Sequence, residues 1–157
     1  MILPELLSGF KLTLIATLFG SLIAIVVGLA LCLVKLAGIP VLSSLCSFWI
    51  QLVRGTPLLV QLYFVFYVAP NWGLTFSTLA TGIVALGVYY GAFAAEIYRA
   101  GIEGLPTGQW EASLTLGLPL RRVWIGVVLP QAVTAVMPVL ANMVIAMFKE
   151  SALLSSI

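Results

Sequence analysis

The sequence contains no histidine and no aspartate, and only 8% of its 157 residues are charged. A serine–histidine hydrolase or a conventional zinc site needs these residue types, so neither can be built from this chain alone. Soluble domains carry about 25% charged residues, whereas 62% of this chain is hydrophobic. The composition therefore argues against a water-soluble fold and against a membrane-embedded hydrolase.

Other absences narrow the function further. None of the three lysines follows a glycine, so the chain lacks a Walker-type phosphate loop. Any energy from nucleotide hydrolysis would have to enter from another chain through a docking surface. The net charge of +2 is too small to indicate nucleic acid as a partner. Cys32 and Cys46 lie in or beside apolar segments, which predicts buried thiols rather than a metal site or a disulfide.

Long uncharged runs predict an all-α bundle that crosses the membrane several times. About 20 apolar residues span the roughly 30 Å hydrocarbon core of a bilayer. The uncharged run 55–95 is too long for one crossing, and Pro70-Asn71-Trp72-Gly73 divides it. We predict four spans at residues 12–34, 57–69, 77–98 and 123–148. Residues 151–157 resemble the start of a fifth span, which indicates a C-terminally truncated chain or an unusual end.

Two local patterns predict how the spans begin and pack. Small residues recur every fourth position in the first and third spans, which favours close helix packing in lipid. These residues are Gly20, Ala24 and Gly28, and then Gly87, Gly91 and Ala95. Residues 38–54 are typical of an interfacial helix leading into the second span. There Thr56 is predicted as the N-cap and Pro57 as the first helical residue.

The positions of the basic residues predict the orientation, because Lys and Arg near span ends stay on the cytoplasmic side. Placing the loop of residues 99–122 inside leaves only Lys11 and Lys149 outside. The N-terminus is then outside. The basic residues placed inside are Lys35, Arg54, Arg99, Arg121 and Arg122.

The segment 96–122 holds six of the twelve charges and is longer than a connection between spans requires. Residues 109–116 favour a short helix with Trp110 and Leu114 on one face. Gly117 suits the left-handed position after that helix, and Pro119 prevents its continuation. Glu96 and Arg99 are spaced to pair on one helix side, either as an anchor or as part of a gate.

A family resemblance rests on this segment. Glu111-Ala112-Ser113, then Gly117, then Val127-Val128-Leu129-Pro130 resembles the loop signature of membrane subunits of bacterial ABC importers, with Ser113 and Val127 as its two departures. The segment from Arg54 to Gln61, and Gly91-Ala92-Phe93 with Glu96 and Arg99, are similar to the polar amino acid permease branch. The resemblance implies ATPase docking by Trp110, Glu111, Ala112, Ser113, Leu114 and Gly117, and support from Arg54, Glu96, Arg99, Leu129 and Pro130.

The resemblance also implies a function, a fold and a set of partners. The chain would be one type I ABC importer transmembrane domain, residues 1–157, with a cytoplasmic coupling loop at 99–122. It would move polar amino acids across the bacterial inner membrane without being an enzyme itself. ATP and Mg²⁺ would bind partner ATPase subunits, and this chain would hold no cofactor or metal. A second permease subunit, identical or not, and an extracytoplasmic amino-acid-binding protein would complete the complex in the lipid bilayer.

The fourth span carries a predicted substrate pathway. Asn142, Ala146 and Lys149 share one face, with Met143 beside them, and polar groups in such a span usually face the bundle interior. Lys149 would meet the substrate carboxylate, or it would simply extend to the outer surface. Two other functional classes remain alternatives: a passive channel or scaffold subunit of a membrane complex, and a membrane-embedded enzyme.

Overall fold

The computed structural model describes residues 2–157, with side chains from Leu3 onward, and these residues form helices and turns without a strand. The predicted all-α membrane fold is confirmed. Three helical runs are long and apolar enough to span a membrane, or four if a bent pair counts as one span. The α-helices are α1 (Ile2–Leu36), α2 (Pro40–Gly55), α3 (Leu58–Tyr63), α4 (Thr78–Glu103), α5 (Thr107–Thr115), α6 (Leu120–Val123) and α7 (Leu129–Glu150).

The centre of the bundle is a parallel pair formed by α1 and α4. Gly20 faces Leu86, and Gly28 lies against Ala94, so the two helices run in the same direction. A Cβ placed on Gly28 would stand 2.5 Å from the Cβ of Ala94 and 3.0 Å from the backbone oxygen of Gly91. The predicted small-residue packing is therefore confirmed, and it brings the two backbones into direct contact.

The second predicted span, residues 57–69, follows a sharp bend in the chain. Between α2 and the run Leu58–Trp72 the chain turns by 102°. The run consists of α3, a π-helical turn (Phe64–Val68) and a 3-10 turn (Ala69–Trp72). The buried residues of α2 are Cys46, Ile50 and Val53, which pack near Ala92 and Ala95 of α4. Cys32 and Cys46 are buried free thiols, as predicted.

The predicted Thr56 cap is wrong. The N-cap position of α3 is occupied by Pro57, which makes no side-chain capping bond. The Thr56 hydroxyl instead donates to the carbonyl of Leu52, 2.8 Å away, in the last turn of α2. Gln61 closes the bend, because its amide donates to the carbonyls of Val53 at 2.8 Å and Thr56 at 3.1 Å. A side chain four residues into the new helix thus satisfies the carbonyls that the break exposes.

The last span is one continuous run, Leu120–Ser156. A π-helical turn, Trp124–Val128, lies between α6 and α7 and ends two residues before Pro130. Proline has no N–H to donate, so the helix changes its hydrogen-bond register at this point. Ser151–Ser156 continues α7 as a 3-10 helix. These residues pack back against the bundle through Leu153, Leu154 and Ile157.

Candidate functional site

The predicted docking helix is present as α5, which begins two residues before the predicted start at residue 109. Its C-terminus is closed by Gly117, whose φ of +67° is the predicted left-handed conformation. The N–H of Gly117 donates to the carbonyl of Leu114 at 2.9 Å, and the N–H of Leu118 donates to that of Ser113 at 3.2 Å. This pair of bonds is a Schellman motif, which fixes where α5 ends.

The docking residues divide between two faces of α5. Ser113 is buried, and its hydroxyl donates to the carbonyl of Gln109 at 2.6 Å. Trp110 is half-buried. Glu111, Ala112 and Leu114 are exposed, and Leu114 leaves 59% of its surface uncovered. The exposed side therefore combines a carboxylate with small and apolar groups.

The inner side of α5 is attached to the last span. The rings of Trp110 and Trp124 meet edge to face, with centroids 5.3 Å apart and planes at 81°. The amide of Gln131 donates to the side-chain oxygen of Gln109 at 3.1 Å and to the carbonyl of Val127 at 3.0 Å. Gln109, Trp124 and Gln131 were not among the predicted site residues. The available signal was Trp124, an aromatic residue two positions after Arg122 at a span boundary.

Leu129 and Pro130, predicted as loop supports, lie exposed at the start of α7. Pro130 borders an open cavity with Leu105, which belongs to the turn before α5. Their position places the end of the sequence signature beside the π-helical turn, next to the residues that contact α5.

An ion cluster joins α1 to α4. Glu96 accepts from the ammonium of Lys35 at 2.7 Å and from Arg99 at 2.7 and 3.1 Å. Arg99 also pairs with Glu103. The predicted Glu96–Arg99 pair is confirmed, whereas Lys35 was not expected as its partner. The predicted loop boundary at residue 99 is too early, because α4 continues to Glu103 before Gly104 ends it.

Arg54 lies apart from α5. Its guanidinium stands 4.9 Å from the centroid of the Phe93 ring on α4. Both residues border a cavity between α4 and α7. Arg54 therefore contacts α4, the third predicted span, and not the docking helix.

The predicted pathway residues take different positions along α7. Asn142 and Lys149 are exposed, Ala146 is half-buried, and Met143 is buried in the main core. Within the described residues, Lys149 forms no ion pair. Glu150, which sequence analysis did not assign, has one carboxylate oxygen that is buried without a hydrogen-bond partner in the same range. An ionisable group buried at a span end is a functional candidate.

Comparison with known proteins places these features in a family. The family described as "binding-protein-dependent transport system inner membrane component" matches residues 36–157. A probable amino-acid ABC transporter permease protein of Sinorhizobium fredii is 38% identical over 154 residues, which cover 98% of this chain and 67% of the relative. The L-cystine transport system permease protein of Bacillus subtilis is 36% identical over 146 residues, covering 93% of this chain and 61% of the relative.

A solved structure agrees with the fold. The structure titled "Crystal structure of an amino acid ABC transporter with histidines" superposes with a TM-score of 0.94 at 35% identity. The match covers 99% of this chain and 72% of the solved one. The chain thus spans about two thirds of the length of the relatives it matches.

Proposed function

The chain belongs to the family of inner membrane components of binding-protein-dependent transport systems, and from this we propose that it imports a polar amino acid as the permease subunit of an ATP-driven complex. Family membership confirms the predicted multi-pass permease of the inner membrane. Support for the substrate class comes from relatives named as amino-acid, cystine and glutamine transport permeases. Such a subunit is a transport protein rather than an enzyme.

The observation that carries the coupling proposal is the two-faced α5. Its exposed side, with Glu111, Ala112 and Leu114, would dock onto an ATPase subunit. Its inner side is attached to the last span through the Trp110–Trp124 contact and the bond between Gln109 and Gln131. When ATP binding closes a pair of ATPase subunits, α5 would therefore carry the last span with it. Movement of that span relative to α1 and α4 would switch the permease between outward and inward openings.

The proposal includes the remaining partners of such an importer. ATP and Mg²⁺ are bound by the ATPase subunits, and this chain needs no cofactor of its own. A second permease subunit, the same chain or a sister chain, forms the other half of the pathway. A binding protein on the outer side delivers the amino acid. Exposed Asn142 and Lys149 would border the pathway, with half-buried Ala146 between them, while Met143 supports them from the core.

The orientation proposal gains support from the parallel course of α1 and α4. Lys35 contacts Glu96, so the basic ends of both helices lie on one side of the bundle. The positive-inside preference supports an orientation with Lys35, Arg99 and the loop with α5 in the cytoplasm and the N-terminus outside. This is the side on which an ATPase can dock.

Docking is tested with Glu111→Lys and Gly117→Asp in the complete complex. Both variants should insert normally but lose most ATPase co-purification and uptake, because one reverses a charge on the exposed face and the other disturbs the α5 C-terminus. Glu5→Lys makes the same charge change at an exposed site in the first turn of α1 and should have no effect. Full assembly and uptake in both test variants would disprove docking through α5.

ATP dependence separates the importer from a passive channel. In proteoliposomes with the ATPase and the binding protein, uptake of L-glutamine should require ATP on the side of the membrane that carries the ATPase. Flux that is equal with and without ATP would favour the channel.

Trp124→Ala should keep ATPase binding but reduce uptake per ATP hydrolysed, because the attachment of α5 to the last span is weakened. An unchanged ratio of uptake to ATP hydrolysis in that variant would show that the Trp110–Trp124 contact is not needed for coupling.

A further inference from the structure

A cavity of about 400 Å³ opens between the end of α2 and the facing surfaces of α4 and α7. Its walls combine one arginine with mostly apolar groups. The residues that matter here are Arg54, Phe93, Glu96, Ala135, Val136 and Val139. The Asn142 and Lys149 pathway residues are not part of this lining.

The charges around the cavity are unequal. Glu96, the acidic group of the lining, is already held by Lys35 and Arg99. Arg54 has no carboxylate partner among residues 2–157. Its guanidinium lies over the ring of Phe93, 4.9 Å from the centroid. The cavity thus contains the unpaired cation Arg54, whereas the negative charge of Glu96 is already neutralised by its partners.

The chemistry of Arg54 indicates what it would bind. A guanidinium stacked on an aromatic ring keeps its N–H groups at the edge of its plane available as donors. These donors match the two oxygens of a carboxylate, and because Arg54 is exposed they are open to a ligand that enters the cavity. The cavity has room for a small organic anion.

We propose that Arg54, stacked on Phe93, is a subsite for the carboxylate of the transported amino acid on the cytoplasmic half of its path. This inference rests on the proposed function and orientation. Ala135, Val136 and Val139 form the wall on α7, the helix that follows the attachment of α5. Movement of α7 away from α4 would open the subsite and release the amino acid inward.

The local charge can be measured without transport. In the complete complex in nanodiscs, Ala135→Cys introduces a thiol into the cavity lining, and its reaction rate is compared for an anionic sulfonatoethyl and a cationic trimethylammonioethyl methanethiosulfonate. Removing one nearby charge with Arg54→Gln should lower the anion-to-cation rate ratio about tenfold. Arg121→Gln removes an exposed arginine that does not line the cavity and should leave the ratio unchanged. The chain without the added cysteine corrects for Cys32 and Cys46.

The ligand is tested by protection of the same thiol. L-Glutamine should slow the modification of Ala135→Cys, whereas 4-aminobutanamide, which lacks the carboxylate, should not. Arg54→Lys keeps the charge but loses the two-pronged donor, so it should preserve the rate ratio and weaken the protection. Equal protection by both compounds, protection by neither, or a ratio independent of Arg54 would overturn the proposal.

A lipid phosphate offers similar anionic oxygens and is distinguished by nanodisc composition. In each lipid the rate ratio is divided by that of Arg54→Gln, which removes the effect of the membrane surface potential. An Arg54-dependent anion preference that is present in phosphatidylcholine and disappears with phosphatidylglycerol, without added amino acid, would assign Arg54 to a lipid headgroup and overturn the carboxylate subsite. The same corrected ratio in both lipids supports it. Uptake with and without ATP, measured on the same complex, reports separately on the proposed function.

Discussion

The α1–α4 pair and the α5–α7 region are held together in different ways. In the first, glycines bring two backbones into contact, and the Lys35–Glu96 ion pair joins the same two helices. In the second, one aromatic pair and one hydrogen bond between glutamine side chains attach α5 to the last span. Gly126, inside the π-helical turn, has open space around it. We call the closely packed pair of α1 and α4 the rigid frame, and the more loosely attached region of α5 and α7 the arm.

This difference has a physical basis in the membrane. Helices in lipid associate through van der Waals contact and polar pairs, so long shared surfaces of small residues give the most resistance to separation. Segments with few packed contacts open at lower free energy. A transporter needs both kinds of region, and each can be perturbed separately.

The largest effect is expected from Gly28→Leu. A side chain at this position has no room beside Ala94 and Gly91, so the frame should lose about 3 kcal/mol of stability or more. Unfolding of the purified protein in a denaturing detergent titration measures the loss. Gly9→Leu, on the same helix with nothing within 4 Å of the added Cβ, should change little. Similar losses in both variants would mean that close packing at Gly28 does not hold the frame.

Glu96→Ala should have the next largest effect. It leaves Lys35 and Arg99 partly buried without their shared carboxylate, which should cost about 1–3 kcal/mol. Glu103→Ala removes an exposed partner of Arg99 and should cost about 0–1 kcal/mol. The same titration compares them. Equal losses of stability in the two variants would show that the shared carboxylate of Glu96 does not specifically stabilise the α1–α4 pair.

Gly117→Ala tests the arm and should have the smallest effect on stability. An L-residue at a φ of +67° costs about 1–2 kcal/mol, and the fraying of the α5 C-terminus should absorb most of it locally. Hydrogen exchange should therefore increase in α5 while α1 and α4 stay protected. Gly108→Ala, inside the same helix at an open site, should not increase exchange, because alanine favours a helix more than glycine does. Faster exchange spread over α1 and α4 would show that arm and frame are one cooperative unit.

Much of this architecture could be predicted from local pattern. Uncharged runs revealed the spans because every backbone group must be satisfied inside the helix in lipid. Small residues at four-residue intervals predicted close packing of the first and third spans, though not that these two pack on each other, and Gly117 with Pro119 predicted the end of α5. Each of these features depends on residues close together in sequence.

The features that were missed depend on distant residues or on competition between bonds. Lys35 lies 61 residues before Glu96, so only the parallel packing of α1 and α4 brings them together. The Thr56 hydroxyl could cap the next helix or bond to the previous one, and it donates to the carbonyl of Leu52 in α2. The break at Thr56 and Pro57 was predicted locally, but the contacts of α2 with α1 and α4 join residues that are distant in sequence.

That turn also has a consequence for the surrounding lipid. Leu58–Trp72, which follows the turn, is about 22 Å long at the α-helical rise, whereas the hydrocarbon core is about 30 Å thick. Thinning of the bilayer beside this flank, or association with a second subunit there, would relieve the mismatch, whereas α1 with its 35 residues extends about 52 Å. We therefore expect the acyl-chain length of the host lipid to influence how this flank is accommodated.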